Sequence, residues 1–264
     1  MRPGSARNSY LFSRCMAGLA LLVAGLVAAH AQAQSAPRDL NELRWITEEY
    51  APYNFTQDGV VTGLAVDILV RMWERLGVDK TAADIQSLPW ARGYRMALDQ
   101  PDTCLFSTTV TDTRREQFQF IEPILDANVS VIAARSHNLK ADSVRDLEPY
   151  SIGVVREDIG DQLLQEGGFS GIYVRTDSAR ILMRMLQGQR FDGAAYNIRV
   201  ADWTMLQEGI DPELYEPVLT LQEGHMGYAC HRDIDAALIA QLQAALDALI
   251  EDGTVDAIIQ GYLQ

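Results

Sequence analysis

Between Cys104 and Ile124 the chain reads Cys-Leu-Phe-Ser-Thr-Thr-Val-Thr-Asp-Thr-Arg-Arg-Glu-Gln-Phe-Gln-Phe-Ile-Glu-Pro-Ile, a stretch whose hydroxyls and guanidiniums could hold an anion. Residues 104–110, apolar and β-branched, predict a buried strand. Thr111 or Thr113 then offers an N-cap, and Thr113-Arg114-Arg115-Glu116 fits a capping box. A strand that runs into a helix start leaves free backbone N–H groups at its carboxyl end, where an anion is stabilised. Arg114 falls in the first helical turn, where the dipole favours an acid, and Ser107 and Thr109 come just before it. A guanidinium, two hydroxyls and free amides at one strand end make a carboxylate clamp. The same residues also read as a capped helix whose arginines are solvated.

Other chemistry is scarce. The chain has no Cys-x-x-Cys, His-Glu-x-x-His or Gly-x-Ser-x-Gly. Past residue 34 the histidines are His137, His225 and His231, and Cys230-His231 is too short a spacing for a metal site. No metal and no cofactor is therefore expected.

The elements that must position the clamp follow from patterning. Residues 1–34 read as an export leader: Arg2, Arg7 and Arg14 precede an apolar run at 16–29, and Ala29-His30-Ala31 or Ala31-Gln32-Ala33 supplies a small-x-small cleavage site. The remaining 230 or so residues suit two lobes of about 100 each. They carry 19 Lys and Arg against 36 Asp and Glu, a net charge of −17, which argues against nucleic-acid or anionic-membrane partners. Strands are predicted at 43–47, 82–86 and 104–110, with helices over 64–76 and 90–98. A strand at 129–135 leaves this first α/β unit. A second unit follows, with strands at 151–155, 171–175 and 192–196. Its helices run over 159–165 and, capped by Asp177, to 187. A returning strand at 222–231 leads to a long helix capped by Asp233 and a shorter closing one. Strands alternating with helices favour parallel sheets covered on both faces.

Ser107-x-Thr109-x-Thr111-x-x-Arg114-x5-Phe120, followed by Glu122, Pro123 and Ile124, resembles the signature of periplasmic solute-binding proteins of the amino-acid type, family 3. Tyr50-Ala-Pro-Tyr53 and Gly63-Leu-Ala-Val-Asp67 match two further places in that pattern. The resemblance implies an α/β clamshell, with lobe 1 formed by residues 35–127 plus 225–264, lobe 2 by 128–224, and the two crossings as hinges. It also implies that Arg114 grips a ligand carboxylate with help from Ser107 and Thr109, and that Tyr50 stacks over the ligand. The family's acid near that tyrosine falls on Glu48 or Glu49. Trp90 stands where relatives line the pocket with an apolar residue; it either walls the cleft or packs in the core. Because the strands that carry Cys104 and Cys230 lie side by side and antiparallel in this family, a disulfide between them is expected.

The second lobe departs from the pattern. Arg156-Glu-Asp-Ile159 replaces the family's Gly-Thr-Thr, and Asn197 takes the place of the aspartate that holds an α-ammonium. An amide accepts a hydrogen bond but neutralises no charge. With Arg156 added, the cleft is expected to favour a ligand more anionic, or less cationic, than a standard amino acid. The expected function is capture of a small carboxylated solute, an amino acid or related organic acid, by a monomer in the periplasm that serves an ABC-type permease. Two alternatives stay open. A few members of the superfamily are exported lyases acting on cyclohexadienyl acids, for which Glu48, Glu49 or His225 would be the acid–base candidates. A ligand-sensing subunit for a membrane receptor is the other.

Overall fold

The computed structural model describes residues 39–262; the expected leader at 1–34 lies outside them. Short strands alternating with amphipathic helices build the first lobe. Strand β1 (Arg44–Thr47) is followed by a hairpin of β2 (Phe55–Gln57) and β3 (Val60–Thr62). Asp58-Gly59 turns that hairpin, both with positive φ, the dipeptide such a turn favours. Helix α1 (Leu64–Leu76) buries Leu64, Ile68, Leu69, Met72 and Trp73 along one stripe and stops at Gly77 in the left-handed conformation. Where sequence alone predicts a strand at 82–86, Thr81 and Asp84 form a capping box, leaving a single 3-10 turn and a two-residue β4 (Gln86–Ser87). Helix α2 (Trp90–Asp99), β5 (Thr103–Thr109) and the six-residue α3 (Asp112–Gln117) complete this run.

Two strands of 17 residues, β6 (Phe118–Ala134) and β10 (Tyr215–His231), pair antiparallel from end to end. Between them in sequence lie β7 (Ser151–Val155), α4 (Ile159–Glu166), β8 (Ile172–Thr176), α5 (Ala179–Gln187), β9 (Gly193–Asn197) and α6 (Ile198–Gln207). Helices α7 (Ala236–Glu251) and α8 (Thr254–Tyr262) close the chain. The strand order is β4-β1-β5-β10-β6-β9-β7-β8. β4, β1 and β5 run parallel on one side and β9, β7 and β8 on the other, while β10 and β6 are antiparallel to their neighbours. β10 pairs with β5 only from Met226 onward, and β6 pairs with β9 only from Val129 to Ala133. The same two strands therefore belong to the first lobe at one end and the second at the other. Trp45 sits edge-on to Trp73 and Tyr228 in the core of the first lobe.

Several caps fall one or two residues from their sequence positions. Ser178, not Asp177, caps α5, and Asp235, not Asp233, caps α7. Thr111 caps α3, its hydroxyl accepting from the Arg114 N–H, while Thr113 donates its hydroxyl proton to Glu166 instead. Helix α6, which sequence patterning did not single out, starts on the Asn197 side chain.

Candidate functional site

Among the described residues Arg114 is the charged side chain with the least exposure, none of its surface being accessible. The turn from β5 into α3 aims it inward, and the aromatic rings of Trp90 and Tyr94 lie 5.2 and 5.5 Å from its guanidinium carbon. Its Nη1 donates to the Thr109 carbonyl at 2.9 Å and its Nε to Gln162 of α4 at 3.1 Å, whereas Nη2 is buried without a partner. An unpaired guanidinium N–H in such a place is expensive unless an acceptor meets it. With α3 only six residues long, the guanidinium rather than a helix terminus is the group here with a donor free for an anion.

The bond from Arg114 to Gln162 crosses between the lobes, and others accompany it. The Trp90 indole N–H donates to the Glu157 carbonyl at 2.9 Å, and Gln162 Nε2 donates to that same oxygen at 2.9 Å. Glu157 presents this carbonyl by adopting φ +59°, a left-handed conformation that costs a glutamate strain energy. Tyr50 from the first lobe meets Tyr196 from the second edge-on at 5.7 Å.

Two carboxylates share this enclosure. Glu48, 8 % exposed, follows β1, and its own carbonyl is held by Asn54, which in turn accepts from the Ser107 hydroxyl. Asp158, 3 % exposed, stands at the start of α4, and one carboxylate oxygen is buried without a partner. Helix α4 reaches that position only because Gly160 lies against β9: a Cβ there would sit 2.1 Å from the Ala195 carbonyl oxygen. Burial, and then the Asp158 charge, pushes Glu48 well above the ordinary carboxylate range despite the pull of Arg114. Burial pushes Asp158 up to about 6, against the opposing influence of Arg114 and the Ile159 N–H. The phenols of Tyr50 and Tyr196 are raised well above their usual value, first by burial and then by these carboxylates.

The structure thus brings Arg114, Tyr50, Glu48 and Trp90 together, with Thr109 supplying its carbonyl and Ser107 bracing Glu48 through Asn54. It does not bring the others there. Glu49 accepts from the Thr56 N–H at 3.0 Å and the Ser87 hydroxyl at 2.8 Å on the exposed face, so of the two glutamates Glu48 is the inward one. Arg156, in the turn after β7, is half-exposed at the surface, 3.5 Å from Asp177. Asn197 is buried but spends its carbonyl oxygen on the Val200 N–H at 3.2 Å, leaving only donors, and it lines a separate hinge-side hollow of about 300 Å³ with Tyr53, Asp126 and Arg199. Arg156 and Asn197, expected at the cleft, thus lie away from Arg114, and the second-lobe side chains that face it are Asp158 and Gln162. Their signal was the polar run after β7, in which only Asp158 is both acidic and one residue ahead of a helix. His225 spends its Nε2 on Glu122 at 3.0 Å. Cys104 and Cys230 are register partners on β5 and β10 with their sulfurs 2.02 Å apart. Among the described residues, no group of three or more His, Cys, Asp or Glu is arranged to hold a metal ion, and no helix is long and apolar enough to cross a membrane.

The family profile of bacterial extracellular solute-binding proteins, family 3, matches residues 43–264, and the chain belongs to that family. No curated protein matches it in sequence. Among solved structures, it resembles a mutant of ArgBP from T. maritima (TM-score 0.71, 19 % identity, covering 84 % of this chain and 94 % of that one). It also resembles a histidine kinase sensor domain with similarity to periplasmic binding proteins (TM-score 0.72, 22 % identity, 84 % and 97 %). A third is an ABC uptake transporter substrate-binding protein from Streptococcus pneumoniae with bound histidine (TM-score 0.70, 18 % identity, 84 % and 92 %). The fold is accordingly the two-lobe α/β clamshell of periplasmic binding proteins.

Proposed function

We propose that this family member captures a small carboxylated solute, of the amino-acid type, between its lobes and presents the closed form to an ABC-type permease. The observation that carries the reading is Arg114: fully buried, braced on two sides, and with one Nη2 unpaired at the seam between the lobes. A solute carboxylate meeting Nη2 would satisfy the last donor, and the Tyr50 and Tyr196 rings would pack its body. Residues 35–127 with 225–264 and residues 128–224 are the two moving bodies, hinged where β6 and β10 cross. Closure is a shift of population toward the form the solute binds best. Export by a cleaved leader would deliver a monomer to the periplasm and favour a Cys104–Cys230 disulfide there. The amino-acid ligands named for several structural relatives agree with this reading.

Native mass spectrometry of the protein from its own periplasm tests it, followed by thermal-shift screening, because a ligand of the folded form raises the melting temperature. A co-purifying carboxylate supports the proposal, and a solute without one overturns it. Turnover of prephenate or arogenate in an ultraviolet assay would instead assign the site to a lyase.

A further inference from the structure

The cleft holds an unequal set of charges. Arg114 is its one buried cation, and two carboxylates face it, Glu48 and Asp158, both more than nine-tenths buried. Among the described residues, neither carboxylate lies within 4 Å of any cation, and one oxygen of Asp158 has no partner. The neighbouring acids are already accounted for. Asp161, behind Asp158, is held by Arg175 through two bonds of 2.9 Å, and Glu49 is turned outward to Thr56 and Ser87. Tyr50 and Tyr196 are neutral phenols. Arg156, at the surface of the second lobe, pairs with Asp177. One positive and two negative buried side chains thus meet at the seam between the lobes.

Resting on the carboxylate-binding reading of Arg114, we propose that Asp158 and Glu48 are specificity-determining residues that select a solute carrying two cationic groups besides its carboxylate. Such a solute has a net charge of +1 and brings the closed cleft to neutrality with both acids ionised. A zwitterion of net charge zero leaves one carboxylate uncompensated, which must stay protonated for the cleft to close, and an anionic solute leaves two. A buried charge without a partner is disfavoured strongly enough to rank the three classes in that order. The arrangement also links binding to proton release. Because burial raises both acids, an incoming dication displaces protons that a zwitterion leaves in place.

Isothermal titration at pH 7 with L-arginine, L-lysine, L-glutamine and L-glutamate, in two buffers of different ionisation enthalpy, reads both effects. The expected result is binding of arginine or lysine at least about tenfold tighter than glutamine, with glutamate weakest, and about one more proton released by the cation than by glutamine. Asp158→Asn should lower affinity for the cation at least about thirtyfold, affect glutamine far less, and shrink the extra proton release. Glu48→Gln is the second variant, and melting curves of both establish folding. Glutamine or glutamate binding as tightly as the best cation overturns the inference, as does a preference that survives both substitutions. If none of the four binds wild type and the native solute lacks a carboxylate, the Arg114 reading itself has failed.

Discussion

The two walls of the cleft are built on different terms. The wall of the first lobe is braced mainly from within: Arg114 is held by the Thr109 carbonyl and lies by two aromatic rings, and Glu48 is braced by Asn54 and Ser107. The wall of the second lobe offers an unpaired carboxylate at a helix start and touches the first through a few polar bonds from Gln162 and Glu157. A first-lobe wall that carries a cation and an acid therefore faces a second-lobe wall that adds another acid. Such a division places affinity in one lobe and selectivity with closure in the other, and each half can be broken separately.

The largest effect is expected on the first-lobe wall. Arg114→Ala should weaken binding of the native solute by about 2–5 kcal/mol, thirtyfold or more, while the protein keeps a cooperative melting transition. Arg115 points to the surface and pairs with Glu122, so Arg115→Ala should bind as wild type. Equal losses from both, read by calorimetry, would identify Arg114 as a structural residue. Cys104 is the second residue of the strand that leads to Arg114, and Cys230→Ser should cost about 2–4 kcal/mol of stability if the pair is bonded. Thiol counting on the denatured, unreduced exported chain should then find no free cysteine.

The second-lobe wall is more readily probed by pH. Asp158, raised to about 6 in the folded protein against an unfolded value near 3.9, binds more protons when folded. Its contribution is thus fully present at low pH and is lost as pH rises between about 4 and about 6, to a total on the order of 3 kcal/mol. Glu48 acts in the same direction. The solute-free protein should consequently melt at lower temperature at pH 7 than at pH 5, and Asp158→Asn should flatten that slope. An unchanged slope would show that Asp158 is solvated. Removing the bridge alone is a smaller perturbation. Gln162→Ala should weaken binding by about 1 kcal/mol, seen mainly as faster solute release, with the first lobe unaffected. Arg156→Ala, on the outer face of the same lobe, should change neither binding nor stability by more than about 0.5 kcal/mol.

The contrast between walls also decided what could be read from sequence. The first-lobe site is nearly contiguous: Ser107, Thr109 and Arg114 lie in one strand–turn–helix run, so spacing alone ties them together. Periodicity likewise located α1, α2, β7 and α4, whose apolar stripes or runs are buried. In the second lobe Arg156, Glu157 and Asp158 lie in the turn between β7 and α4, and the positive φ at Glu157 reverses the chain there so that Asp158 is buried while Arg156 is exposed. Nothing in local composition reports such a reversal. The capping role of Asn197 was hidden for a related reason: its side chain is taken by the first turn of α6, a helix whose weak amphipathicity gave no periodic signal. Glu48 and Glu49 are adjacent and chemically alike, and only the bonds of Glu49 to the β2 and β4 segments separate them.

The most direct test of this account is a crystal structure of the protein with the solute it carries from the cell. The account predicts a closed cleft in which the solute carboxylate lies within hydrogen-bonding distance of Arg114 Nη2 and a cationic group of the solute faces Asp158. A solute seated away from Arg114, or one that turns an anionic group toward Asp158, would contradict it.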